Sequence, residues 1–281
     1  MIQWIIISVA MGLLVLATIL GGSTLVPDVQ TAIFFVLLAV AACALASIVG
    51  LGGGLVIVPV LIFLGLSPPI AAFSSLAATM SNATASSMVY AKQRRIEYKE
   101  AVKLGLMAIP GSVLGAVLSK DAGVDLYSVL LAGILISAGV YVYIRPRLRN
   151  RPHPGTFIFL SISVGVSFFA GVVSSYFGIG GGVIFVPLLV ILSGMSVMRA
   201  APTSIMALLL TSVAGIVTHG VLGDTAAILA LLLSAGGLLG GMAGAKLSRE
   251  VGERYTRILV LVTMIAAAIT LIWNSSALDI T

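Results

Sequence analysis

The chain has 281 residues, of which 60% are apolar and only 9% charged, with a formal net charge of +6. A soluble protein carries roughly 25% charged residues, so this composition excludes a soluble fold and indicates a polytopic helical membrane protein. The basic residues sit in short loops between apolar runs, where they report membrane orientation rather than nucleic-acid binding.

Apolar segments are expected at 2–21, 30–49, 54–66, 70–91, 100–119 and 125–144. The first belongs to an extra N-terminal helix within 1–28. No Lys or Arg precedes its apolar run, which is long for a signal-peptide core, so it reads as uncleaved. Cys43, the single cysteine, lies in the second segment, which excludes an intramolecular disulfide and a thiolate metal site. A basic linker at 145–155 follows, and the second half gives segments at 156–177, 182–194, 198–220, 225–246 and 255–273.

Residues 29–144 and 156–275 read as two copies of one unit within a single membrane domain. Gly50-Leu-Gly-Gly-Gly-Leu-Val-Ile-Val-Pro59 returns as Gly178-Ile-Gly-Gly-Gly-Val-Ile-Phe-Val-Pro187, an offset of 128 (178 − 50). After one inserted residue the register holds at 129: Gly115-Ala-Val-Leu-Ser-Lys-Asp-Ala-Gly123 falls on Gly244-Ala-Lys-Leu-Ser-Arg-Glu-Val-Gly252 (244 − 115). Paired, interrupted apolar segments of this kind mark secondary transporters and their binding sites.

Charge sets the relative orientation of the copies. The positive-inside rule places Lys92 to Lys103, Arg145 to Arg151 and Lys246 to Arg257 in the cytoplasm. That requires an even number of passes between 156 and 194, hence a hairpin. Each repeat is then a glycine-broken, re-entrant-like helical hairpin plus three crossings. An odd number of crossings turns the second copy upside down. The expected fold is all-α: a transmembrane bundle of two inverted-topology repeats, with the linker cytoplasmic.

Consecutive glycines before a Val/Ile-rich stretch describe a tight break and a new helix N-terminus, whose free N–H groups and dipole favour an anion. Packing through small residues is the bland alternative, but it predicts small-xxx-small spacing rather than a glycine run. Candidate substrate ligands at the breaks are Gly52, Gly53 and Gly54, with Gly180, Gly181 and Gly182. The segment after each hairpin is unusually polar. Ser74, Ser75, Thr79 and Asn82 in one copy, and Thr203, Ser204 and Thr211 in the other, can line a path without a fixed charge. Asn82 is the strongest single candidate, with Thr211 its counterpart (82 + 129 = 211).

His219 and its counterpart Tyr90 (219 − 129 = 90) are candidates for a proton relay, with an ordinary interfacial histidine as the competing reading. No Asp or Glu falls inside a crossing, which argues against a cation or drug pump. Paired acids, clustered histidines and nucleotide motifs are lacking, so neither an enzyme, a metal site nor a cofactor is expected. The expected partners are a small anion and the lipid bilayer, with no nucleic acid; self-association as a homo-oligomer is compatible with the sequence.

On the duplicated Gly-x-Gly-Gly-Gly-x-x-x-Val-Pro at Gly50–Pro59 and Gly178–Pro187, the chain resembles the TauE/SafE family of sulfite and organosulfonate exporters over about 30–273. The resemblance implies a secondary transporter in the cell membrane that exports sulfite or a related sulfur-containing anion by alternating access. An anion channel, or a carrier of carboxylates, would use the same helix termini.

Overall fold

The computed structural model describes residues 29–120, 127, 129–133, 156–191 and 193–250. The expected helices at 2–21 and 255–273, the linker 145–155 and most of 125–144 lie outside the described residues.

Eight helices carry the described chain, and no strand forms among these residues. The first repeat supplies α1 (Val29–Val49), α2 (Gly54–Phe63), α3 (Pro68–Lys92) and α4 (Tyr98–Ser119). The second supplies α5 (Thr156–Phe177), α6 (Gly182–Ile191), α7 (Val197–Leu222) and α8 (Ala227–Leu247). Helix ends follow local chemistry. Pro68 and Pro69 open α3 behind Ser67, where a missing N–H costs nothing. Gly223, left-handed at φ +86°, closes α7.

Helices α1, α4, α7 and α8 are long and apolar enough to cross a membrane. Helix α3 is as long as these, at 25 residues, but its buried Ser, Thr and Asn side chains lower its hydropathy. The return arms α2 and α6 have 10 residues each, so they reach about 15 Å, half of a hydrocarbon core. Both end about three residues before the expected limits of 66 and 194, because the chain turns at Gly65 and Gly194.

The repeats are intertwined. Helix α8 packs on α1 and α3 of the first repeat, whereas α4 packs on α5 and α7 of the second. Glycine makes both seams close. A Cβ on Gly240 or Gly244 would strike the carbonyls of Val40 and Ala44 in α1. A Cβ on Gly111 or Gly115 would strike those of Phe168 and Val172 in α5. These are equivalent positions (240 − 111 = 129; 168 − 40 = 128). Such small-residue seams replace the hydrophobic drive that lipid removes.

The polar helices α3 and α7 run antiparallel along the middle. Arg95, just past α3, bonds to Met198 at the start of α7, while Leu76 approaches Gly215 further along.

Candidate functional site

Both glycine breaks lie between α3 and α7 and touch each other. The space for a Cβ on Gly54 is filled by the backbone of Gly178 and Ile179; that on Gly182 is filled by Gly50 and Leu51. The contacts of the first glycine of each break are reciprocal too. A Cβ on Gly50 would stand 2.5 Å from Ala201 Cα, and one on Gly178 would stand 2.5 Å from Ala72 Cα. Ser204 Oγ donates to the Gly50 carbonyl at 2.9 Å, and its counterpart Ser75 Oγ donates to the Gly178 carbonyl at 2.8 Å. Each polar helix therefore braces the opposite repeat's break.

Gly52 and Gly180 have φ of +85° and +83°, a conformation that side chains resist. This turn frees the amides that follow. The first amide bonds of α2 run from Val56 and Ile57 to the Gly53 carbonyl; those of α6 run from Ile184 and Phe185 to Gly181. The N–H groups of residues 52–55 and 180–183 have no acceptor among the described residues. Two helix N-termini thus converge, each with its positive dipole end and unpaired donors.

Thr79 stands where they meet. Its methyl would be 3.4 Å from a Cβ on Gly52 and 2.8 Å from one on Gly180, and its buried hydroxyl has no hydrogen-bond partner. Leu208, the equivalent residue of α7 (208 − 79 = 129), contacts the same two glycines. Ser174, buried and unpartnered, borders Gly181. In lipid, unpaired donors of this density need a ligand or water.

The remaining candidates divide by whether their donor is free. Asn82 is buried against α1 and α8: its Oδ1 accepts from Ser47 at 2.6 Å and Ser86 at 3.1 Å, and its Nδ2 is unpartnered. Ser74 is likewise buried with a free hydroxyl. By contrast, Ser75 and Ser204 spend their protons on the opposite break. Thr211 donates to the Leu208 carbonyl at 3.0 Å. Thr203 donates to the Arg199 carbonyl at 2.7 Å and accepts from the Glu97 amide at 3.1 Å, at one end of the bundle.

Tyr90 and His219 lie far apart. Each is eleven residues past the central pair (90 − 79; 219 − 208), about 16 Å along oppositely directed helices. Tyr90 donates to the Ser47 carbonyl at 2.6 Å, and His219 meets the Ser175 carbonyl at 3.1 Å. They are two sites rather than one relay. His219 is fully buried within the bundle.

At the Tyr90 end, Arg95 joins three elements: it donates to the Met198 carbonyl at 3.0 Å, to Gln93 at 2.9 Å and to Ser248 at 2.9 Å. Burial draws its guanidinium below the usual range; Tyr90 opposes this and Arg249 adds to it. Glu97 pairs with Arg199 at 2.6 Å, but both are exposed, so the pair adds little stability.

Sequence reasoning missed Ser47, Ser174 and Ser175. The signal was present: the 128 offset sets Ser47 on Ser175, a hydroxyl three residues ahead of each break.

Membrane-crossing helices around two broken helices whose unpaired N-termini face one another define a membrane transporter. Residues 34–271 match the sulfite exporter TauE/SafE family, and the chain belongs to it. It is 29% identical over 266 residues to the probable membrane transporter protein YunE of Bacillus subtilis, covering 86% of this chain and 97% of that one. A probable membrane transporter of Haemophilus influenzae is 24% identical, covering 75% and 83%. YfcA of Escherichia coli K12, also a probable membrane transporter, is 24% identical, covering 88% and 91%. No solved structure matches.

Proposed function

We propose that the protein is a secondary transporter of the cell membrane that exports a small sulfur-containing anion, sulfite or an organosulfonate, by alternating access. The observation that carries this reading is the convergence of two helix N-termini on Thr79, with eight unpaired amides at 52–55 and 180–183. Backbone donors and helix dipoles suit a tetrahedral or pyramidal oxyanion and need no buried cation. Thr79, Ser74, Ser174 and the Asn82 amide complete the donor set. The family's description as sulfite exporters supports the substrate class.

The antiparallel α3 and α7 and the reciprocal bracing support an inverted relation between the repeats, with the 145–155 linker and the Arg95 end cytoplasmic. The intertwined packing supports two moving bodies, α1–α2–α3–α8 and α4–α5–α6–α7, that rock about the glycine breaks.

The test is counterflow in proteoliposomes. Vesicles loaded with unlabelled sulfite should transiently accumulate external [35S]sulfite, and thiosulfate or sulfoacetate should compete while acetate does not. Conductive flux without counterflow would make the protein a channel. Competition by acetate alone would move it to carboxylates.

A further inference from the structure

Tyr90 and His219 do one structural job with different chemistry, each facing the carbonyl of the hydroxyl residue ahead of its own repeat's break. The next equivalent pair differs in sign (224 − 95 = 129). Arg95 lies over the Tyr90 ring at 5.2 Å, whereas Asp224 Oδ2 stands 3.2 Å from His219 Nδ1. One end of the bundle has a permanent cation; the other has an imidazole against a carboxylate.

The Ser175 carbonyl can only accept, so His219 Nε2 carries a hydrogen. An ionised Asp224 can also only accept, yet a neutral imidazole has a single N–H. Satisfying both neighbours takes one proton more than a neutral histidine and an ionised aspartate hold. Water cannot stand in at the ring, which is wholly buried, while the Asp224 side chain is 15% exposed and open to exchange.

We propose that His219 and Asp224 form a proton-binding site that couples anion movement to the proton gradient, an inference that rests on the transporter reading above. With the proton bound, an Nδ1–H to Oδ2 bond holds the turn after Gly223 down on the end of α7. When the proton leaves through Asp224 to water, a ring lone pair faces a carboxylate and the turn is released. His219 keeps its Nε2 hydrogen on Ser175 throughout. The closed turn holds the proton, and the released turn has given it up.

Among the described residues, few charges bear on this pair. Helix α5 brings Tyr176 and the end of α4 brings Lys120; neither bonds His219 or Asp224. Helix α6 has no ionisable group, α1 has only Cys43, and α3 carries Tyr90 and Lys92 at its far end.

The site can be read without knowing the substrate. The chain has two histidines, so the imidazole 15N spectrum of the full-length protein in lipid holds two residues' signals, and His153→Gln assigns them. In the wild type His219 should show a state with both nitrogens protonated, its Nδ1 hydrogen on Asp224. In Asp224→Asn the amide can itself donate to Nδ1, so the doubly protonated His219 signal should weaken or vanish. A wild-type His219 with one bare nitrogen at neutral pH, unchanged by Asp224→Asn, overturns the site. In proteoliposomes, the pH profile of [35S]sulfite exchange should differ between wild type and Asp224→Asn, beyond the dependence that sulfite's own protonation gives both; matching profiles overturn the coupling. If the wild type moves no sulfite, the substrate reading fails while the spectrum still decides the proton site.

Discussion

Asn82 shows how one side chain is aimed by its neighbours. Ser47 and Ser86 both donate into its Oδ1, which orients the amide and leaves the NH2 group as a buried, unused donor. Asn82→Ala should weaken sulfite binding by about 1–3 kcal/mol, the usual cost of leaving a charged group one hydrogen bond short. Asn82→Asp should be worse, because it sets a carboxylate against an anion at low dielectric. Calorimetric titration of the purified variants with sulfite checks both. An Asp variant that binds as tightly as wild type would mean that Asn82 faces no anion. Ser75 and Ser204 differ in kind: their protons belong to the carbonyls of Gly178 and Gly50, so substituting them should disturb the breaks before it disturbs a ligand.

At the scale of elements, helix glycines have opposite meanings according to what they face. Gly244 in α8 lies against the Ala44 carbonyl of α1, whereas Gly220 in α7 has nothing within 4 Å. Gly244→Ala should push the α1–α8 seam apart and cost about 1–3 kcal/mol, as overpacking does. Gly220→Ala should be neutral or stabilise by up to about 1 kcal/mol, through helix propensity alone. Thermal melts of the two purified variants give the comparison; a melting point lowered equally in both would refute the seam. The return arms follow the same logic. Ten residues suffice for α2 and α6 because each begins at a break halfway through the bundle rather than at a surface.

The whole molecule raises the question of sidedness. If the Arg95 end is cytoplasmic, single cysteines at 96 and 149 in a Cys43→Ser background should be labelled only after permeabilisation. Cysteines at 23 and 222 should be labelled from outside. Periplasmic labelling at 149 would undo the inverted arrangement and the positive-inside reading behind it. The ends of the bundle are not alike. Arg95 ties α3, α7 and α8 together at one end, while its counterpart Asp224 turns back onto His219 of its own helix.

The membrane class, the duplication, the glycine breaks and most helix limits were legible in the residues, because hydropathy, charge and turn chemistry act over a few neighbouring positions. The polar helices were legible for the same reason: eight hydroxyl and amide residues between Ser74 and Ser87 stand out in an apolar chain. Which of those groups remained free was not. Ser75, Thr203, Ser204 and Thr211 carry the same signal as Thr79 and Ser74, yet their protons are taken by carbonyls of the chain itself. Nor did the pattern reveal that α4 packs on α5 and α7 while α8 packs on α1 and α3. In lipid every helix face is comparably apolar, so partners are chosen by the fit of glycine faces against backbone, which exists only once the helices are side by side. His219 turns on the same distinction. The chain places a histidine five residues before an aspartate, and only the folded bundle brings the Ser175 carbonyl to the other side of the ring.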